Sequence, residues 1–230
     1  MKKYLKNLKL LEKNHVYSKK MEHDACGVGL VASIDGKKSR KVIEYGIEAL
    51  KAVWHRGAVD ADGKTGDGAG IHIEISSDFF IEKIEMSGHK YDNSEICVGM
   101  IFLPRNNYSA QESCRTLVER ELTKNNFSIY GWRQVPVNTV VLGEKAEQTR
   151  PEIAQVLFKY NDKNITGKKL EIKLYESRRK IENRALENHL KDFYICSFSS
   201  KSIIYKGMFL AEALSDFYPD LQDQRLISRF

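Results

Sequence analysis

The chain has 230 residues, 42% of them hydrophobic and 30% charged, which is the composition of a globular protein long enough to bury a core. Its formal charge is +6, but seven lysines against three acidic residues give residues 1–25 a net charge of +4. The rest of the chain shows no basic stripe interleaved with aromatic residues, so nucleic-acid binding is not expected. No apolar run approaches the roughly 18 residues of a membrane span, so membrane insertion is not expected either.

The leader, residues 1–25, has leucines between its lysines but no continuous apolar segment of the kind found in secretory signals. It is interpreted as a basic tail or short surface helix, or as a segment that is removed. The apolar run 26–34 predicts a buried strand, and Asp35-Gly36 predicts a turn after it. Ser39 is the predicted N-cap of a helix with these residues on one face: Ile43, Ile47, Leu50 and Trp54.

The stretch 55–70 is polar and rich in glycine, which predicts a loop whose backbone closely approaches another part of the protein. It matches neither G-x-G-x-x-G nor a P-loop, so nucleotide binding is not predicted. Arg56, next to Gly57, has a planar guanidinium suited to a carboxylate or a chain terminus, and the alternative is a solvated loop arginine. Asp60 and Asp62 lack EF-hand or zinc-site spacing, so hydrogen bonding within the loop is predicted for them rather than metal binding.

Further along the chain, alternating or continuous apolar runs predict strands at 71–75, 96–103, 128–135, 139–142 and 153–160. A capping-box pattern from Ser109 to Glu112 predicts the start of a helix with one apolar face: Cys114, Leu117, Val118 and Leu122. A charged helix at about 169–190 and a hairpin of 193–199 with 202–205 complete the pattern. The partial segregation of strands and helices favours an α+β layered domain.

Four cysteines occur, and no C-x-x-C pair is among them, so no zinc or iron–sulfur site is predicted in this segment. Cys97, Cys114 and Cys196 lie among apolar neighbours and are predicted to be small core residues. Cys26 differs because Gly27 and Gly29 leave its backbone uncrowded.

A nucleophilic cysteine needs a base or a lowered pKa, and no histidine motif accompanies Cys26. An N-terminal α-amine, with a pKa of about 8, would serve as the base if the chain were cleaved after Ala25. The spacing leaves a core cysteine and an N-terminal nucleophile both open.

Several segments together resemble the large subunits of glutamate synthases. The stretch 22–29 (EHDACGVG) is similar to their processing site, and the block 46–71 (GIEALKAVWHRGAVDADGKTGDGAGI) is similar almost without interruption. Two shorter stretches, 194–197 (YICS) and 205–208 (YKGM), fit as well. The resemblance extends from Glu22 to the end of the sequence.

This resemblance implies a class II glutamine amidotransferase domain with the N-terminal-nucleophile hydrolase fold, a four-layer αββα sandwich. Residues 1–25 would be a propeptide, and residues 26–230 the N-terminal part of the domain. Cys26 would be the catalytic nucleophile that releases ammonia from glutamine. Arg56 and Gly57 would belong to the substrate-binding turn, and the loop 56–63 would close over the substrate.

In the full-length family member, the ammonia reacts with 2-oxoglutarate to form glutamate. FMN, an iron–sulfur cluster and either reduced nicotinamide or ferredoxin take part in that reaction. The implied partners are glutamine and the remainder of the synthase subunit, with a small subunit as an open alternative. The implied location is the cytoplasm.

One departure from the family concerns the end of the sequence. Family members continue with Gln-Arg-Phe-Ser-Thr and an Asn-Gly pair, and neither occurs in these 230 residues; Arg229-Phe230 lacks the Ser-Thr. Losing one oxyanion donor costs about 100- to 1,000-fold in rate. The expectation is therefore a fold incomplete at its C-terminus and a chain that is nearly inactive alone. The alternatives are a catalytically dead fragment, or the amidotransferase domain of another ammonia-channelling synthase.

Overall fold

A computed structural model describes residues 2–14, 27–53 and 57–230. The α-helices are α1 (Lys2–Asn14), α2 (Arg40–Ala52), α3 (Ser77–Met86), α4 (Tyr108–Lys124), α5 (Glu144–Thr149), α6 (Gly167–Glu187) and α7 (Leu214–Phe217). The strands are β1 (Ala69–Glu74), β2 (Cys97–Leu103), β3 (Phe127–Gln134), β4 (Glu152–Tyr160), β5 (Tyr194–Ser199) and β6 (Ser202–Gly207). Short 3₁₀ turns are Thr139–Val141, Ala211–Ala213 and Pro219–Gln222.

The strands form two antiparallel sheets. One has four strands in the order β3–β4–β2–β5, and the other consists of β1 and β6. β2 is central and buried over nearly its whole length, which explains its continuous apolar sequence. Its residues alternate between two cores, with Met100 in one and Ile101 in the other.

The two cores define four layers. The first core joins α2, the two-stranded sheet and one face of the four-stranded sheet through residues such as Ile43, Ile73 and Met100. The second joins the opposite face of the four-stranded sheet to α4 and α6, through residues such as Val118 and Leu174. The predicted α+β class and the αββα layering are confirmed, as are the buried faces predicted for the described residues of α2 and α4. Trp54, predicted on the same face of α2, lies outside the described residues.

The strand predicted at 26–34 is wrong for its described part. Residues 27–33 pair with no strand among the described residues, and Val28, Leu30 and Ile34 are exposed by 91%, 81% and 106%. The segment is held at Ser33, whose backbone N–H donates to the Arg229 carbonyl at 2.8 Å. The apolar pattern is that of a strand, but forming one requires a neighbouring strand that pairs with it.

Two local predictions are corrected by side-chain contacts. Helix α4 is capped by Asn107, whose side chain accepts from the Ala110 N–H at 3.0 Å, rather than by Ser109. The strand predicted at 139–142 is the 3₁₀ turn Thr139–Val141, where the Asn138 side chain accepts from the Val140 N–H. In both places an asparagine near the start of the turn satisfies a free backbone donor.

The hairpin predicted from 193–199 and 202–205 is also wrong. Both strands exist, but β5 pairs with β2 while β6 pairs with β1, so the chain passes from one sheet to the other between them. Ser199 stabilises this passage, because its hydroxyl accepts from the backbone N–H groups of Lys201 and Ser202 at 2.9 and 3.3 Å.

The described part of the leader is helical. α1 spans Lys2–Asn14, with the side chains of Leu5 and Leu10 about half exposed. The remaining leader residues, 15–25, lie outside the described residues, so the predicted removal of residues 1–25 stays a prediction. Among the described helices, none has the length and apolar character needed to cross a bilayer.

Candidate active site

Residues 57–67, called here the site loop, fold as a small hairpin. Val59 and Gly66 form an antiparallel bridge, and the Asp60 N–H donates to the Thr65 carbonyl at 2.9 Å. At the turn, the Gly63 N–H donates to the Asp60 carbonyl at 3.0 Å, and Gly63 has a φ of +69°, a conformation that suits glycine. The predicted loop is therefore present and internally hydrogen-bonded.

The two aspartates accept hydrogen bonds within the site loop, as predicted, Asp60 from the Ala61 N–H at 2.7 Å, and Asp60 also has a partner outside the loop. Asp62 accepts from the Thr65 hydroxyl at 2.5 Å and from the backbone N–H groups of Thr65 and Lys64 at 2.7 and 2.9 Å. The hydrogen bond from the Thr65 hydroxyl, together with the two backbone hydrogen bonds, lowers the pKa of Asp62 to about 2. Asp60 pairs with Lys145 of α5 at 2.7 Å, and the hydrogen bond from Lys145 lowers the pKa of Asp60.

The site loop lies tightly against the start of α5. Thr65 is 2% exposed, and its hydroxyl accepts from the Ala146 N–H at 3.4 Å. A Cβ added to Gly143 would overlap the side chains of Asp62 and Thr65 and come within 2.6 Å of the Thr65 backbone nitrogen. Gly143 therefore permits a contact that any larger residue would disturb.

A cavity of about 350 Å³, called here the site cavity, opens beside this loop. The site loop contributes Gly57, Val59, Gly63 and Asp67; the other walls are Gly27, Leu50 and Val53, Gly68 and Ala69, and residues 209–212. Its volume falls within the range of small-molecule sites.

Close backbone contact was predicted for the glycine-rich stretch, and Gly66 shows it. A Cβ on Gly66 would come within 2.7 Å of the Phe209 carbonyl oxygen. This contact fixes the loop next to the segment that contributes Glu212 to the site cavity.

Of the predicted site residues, Cys26 and Arg56 lie outside the described residues, and Gly57 is described. Gly57 is exposed and lines the site cavity. Gly27, the residue after Cys26, lines the same cavity. The structure therefore brings together the chain neighbours of two residues that are 30 positions apart in the sequence.

Sequence reasoning missed Lys145 and Glu212, which reach the loop and its cavity from distant parts of the chain. Neither belongs to a local motif, so no sequence signal pointed to them. It also missed a second cavity, of about 610 Å³, which shares Asp67–Ala69 and Phe209 with the site cavity.

The prediction of buried cysteines is confirmed for the three that are described. Cys97 and Cys114 lie in the core beneath α4 and α6, and Cys196 lies in the core between the sheets. Burial raises the pKa of Cys114 and of Cys196 to about 11, and that of Cys97 well above its ordinary value. In the described ranges no group of three or more His, Cys, Asp or Glu side chains converges, so these residues do not fit an iron–sulfur cluster.

Comparison with known proteins places this fold in a family. The family described as "Glutamine amidotransferases class-II" matches residues 26–230. The chain belongs to the class II glutamine amidotransferases. The N-terminal-nucleophile hydrolase fold of this family is the αββα architecture described above.

Relatives of this amidotransferase domain are glutamate synthases. The NADPH glutamate synthase large chain of Azospirillum brasilense is 54% identical over 224 residues, which are 97% of this chain and 15% of that protein. The ferredoxin-dependent glutamate synthase 1 of Arabidopsis thaliana is 39% identical over 91% of this chain and 13% of that protein. The NADPH glutamate synthase large chain of Bacillus subtilis is 34% identical over 94% of this chain and 14% of that protein.

These matches confirm the predicted resemblance to glutamate synthase large subunits. The chain spans about one seventh of the length of these relatives: the matched region is 15%, 13% and 14% of the three proteins.

Proposed function

We propose that this domain hydrolyses the side-chain amide of glutamine, with Cys26 as the catalytic nucleophile and residues 1–25 as a propeptide. The observation that carries the proposal is that Gly27 and Gly57 line one cavity. Gly27 and Gly57 directly follow Cys26 and Arg56 in the chain, which supports a shared role for these two residues at the site cavity. The family match also begins at Cys26.

The reaction proceeds in two balanced steps. The Cys26 thiolate attacks the amide carbon of glutamine, the C–N bond breaks, and the departing nitrogen takes a proton to leave as ammonia. Water then attacks the γ-glutamyl thioester, which releases glutamate and restores the thiol. The α-amine of Cys26, freed by removal of the propeptide, accepts the thiol proton and returns it to the leaving group.

Arg56 and Gly57 have a binding role in this proposal. The planar guanidinium of Arg56 pairs with a carboxylate through two parallel hydrogen bonds, which suits the α-carboxylate of a free amino acid. Gly57 has no side chain, so the backbone of the turn leaves room for the ligand.

For the whole protein, we propose that the ammonia is used to make glutamate from 2-oxoglutarate. The names of the relatives support this reading over other ammonia-using synthases. Sequence identity does not separate the two electron donors. The two NADPH-named relatives are 54% and 34% identical to this chain, and the ferredoxin-dependent relative, at 39%, lies between them. FMN and an iron–sulfur cluster would be held by other parts of such a subunit. Three free cysteines favour the reducing cytoplasm as its location.

The test is glutaminase activity combined with intact mass and thiol labelling. We expect the purified full-length protein, meaning this domain together with the remainder of the synthase subunit, to lack residues 1–25 and to release ammonia from glutamine, and Cys26→Ala to abolish that release. Cys114→Ala is the matched control, because Cys114 is buried in the second core, and it should retain the activity. Full activity in Cys26→Ala, or activity with residues 1–25 still attached, would contradict the proposed mechanism.

A further inference from the structure

The site loop is joined to α5 by an ion pair that lies outside the site cavity. The Lys145 ammonium is 2.7 Å from Asp60 Oδ2, and the two side chains are 65% and 36% exposed. Neither residue lines the site cavity, whereas Gly57, Val59 and Gly63 of the same loop do. Any influence of this pair on a ligand must therefore act through the position of the loop.

α5 is itself fixed to the four-stranded sheet at its other end. Arg105, just after β2, donates to the Glu147 carbonyl at 2.8 Å and to its carboxylate at 2.6 Å. Arg150, just before β4, donates to the same carboxylate at 2.9 Å. α5 is thus a short support that connects the sheet to the site loop.

A second contact keeps the loop folded on itself when the ion pair is absent. Asp62 and Thr65 are hydrogen-bonded to each other, and Thr65 is buried against the start of α5. Breaking the pair between Asp60 and Lys145 should therefore loosen one wall of the site cavity without unfolding the loop.

We propose that Asp60 and Lys145 are positioning residues for glutamine binding: their ion pair holds the site loop where Gly57, Val59 and Gly63 form a wall of the cavity. The proposal rests on the proposed function, since it takes glutamine as the ligand. Because the pair is exposed, its effect is modest and salt-sensitive. Loss of an exposed pair corresponds to a change in affinity of about two- to fivefold.

The test measures glutamine affinity by calorimetry in the full-length protein carrying Cys26→Ala, which prevents turnover. In that background, Asp60→Asn and Lys145→Met should each weaken binding about two- to fivefold, and the double variant should bind no more weakly than the weaker single variant. Exchanging the two charges, Asp60→Lys with Lys145→Asp, should restore binding. Lys173→Met is the control, because Lys173 pairs with Glu176 at 3.2 Å on α6 with similar exposure.

Salt dependence separates positioning from a merely structural role. Added salt should weaken glutamine binding more in the parent than in Asp60→Asn, because only the parent has the pair between Asp60 and Lys145 to screen, and the melting temperature should be the same in both. Equal affinity in the parent, Asp60→Asn and Lys145→Met would overturn the proposal.

A ligand-free measurement keeps this test distinct from that of the proposed function. Absence of glutamine binding in the Cys26→Ala parent would contradict the proposed function. In that case amide exchange of residues 57–67 still decides the loop contact: faster exchange in Asp60→Asn and Lys145→Met supports it, and unchanged exchange overturns it.

Discussion

Arg133 and Asp220 form a bidentate ion pair inside the protein, with Nη2 2.5 Å from Oδ1 and Nη1 2.8 Å from Oδ2. Arg133 lies on β3, and Asp220 lies in the 3₁₀ turn Pro219–Gln222. The pair is well satisfied, because Gln155 accepts from Arg133 at 2.8 Å and the Tyr205 hydroxyl donates to Asp220 at 3.2 Å. It fixes the last turn of the described fold to the four-stranded sheet.

Removing one member of this pair should strongly destabilise the fold. Asp220 is 5% exposed, and breaking a buried pair typically costs about 3–5 kcal/mol because the remaining charge is left uncompensated. We therefore expect Asp220→Ala to lower the free energy of unfolding by about 3 kcal/mol or more in urea titrations. The control is Glu112→Ala, which removes the ion pair between Glu112 and Arg115. The Glu112 side chain is 68% exposed, so this substitution should cost less than about 1 kcal/mol. Equal effects of the two substitutions would contradict the assignment.

Gly143→Ala should displace the site loop from α5. Its new Cβ would overlap the side chains of Asp62 and Thr65, so the loop must move. Limited trypsin digestion after Lys64, an exposed loop residue, should become faster, and glutamine should bind more weakly. Glu144→Ala, one residue later on the exposed side of α5, should leave both unchanged. A digestion rate equal to that of the parent would show that the loop tolerates the methyl group.

Thiol labelling should single out Cys26. With the pKa of Cys114 and Cys196 raised to about 11, and that of Cys97 raised as well, these thiols are protonated and buried at neutral pH. We expect iodoacetamide to modify one of the four cysteines in the folded protein at pH 7.5, and peptide mapping to place the modification at Cys26. All four should react in urea. Rapid labelling of Cys196 in the folded protein would contradict the burial argument.

Acid should destabilise the protein between about pH 4.5 and pH 2. The Thr65 hydroxyl lowers the pKa of Asp62 to about 2, and Arg225 lowers those of Glu82 and Asp223 to about 2, from ordinary values of 3.8, 4.5 and 3.8. A lowered pKa in the folded state means that the unfolded chain binds protons more strongly. The stabilisation is complete above the ordinary values and is lost as the pH falls through the folded values.

Urea unfolding measured at pH 6, 4, 3 and 2 checks this expectation. Arg225→Gln removes the partner of Glu82 and Asp223, so it should lower stability at pH 6 and flatten the loss between pH 4 and pH 2. A stability that stays constant down to pH 2 in the parent would contradict the assignment of these contacts.

The local spacing of apolar residues was sufficient to predict the buried face of a helix that packs on a single core. The helical spacing of Ile43 and Ile47 in α2, and of Cys114 and Val118 in α4, identified the buried faces that the structure shows. Periodicity reports which side of an element avoids water, and that holds whichever element covers it.

The same reasoning failed for strands, whose formation depends on which neighbouring strand they pair with. The strand predicted from Cys26 has an apolar pattern but is unpaired in its described part, and β5 and β6 form no hairpin because each pairs with a strand of another sheet. Hydrogen-bonded pairing depends on contacts between distant parts of the chain, which local periodicity does not encode.

The sequence by itself determined the family, the layered α+β class and the hydrogen-bonding role of Asp60 and Asp62 in their loop. Only the tertiary structure decided that Gly27 and Gly57 line one cavity, and that Lys145 of α5 pairs with Asp60 of the loop beside it. The physical reason is that a site cavity is built from segments such as 57–67 and 209–212, which folding brings together across long stretches of chain. Their meeting is a property of packing and not of any local pattern.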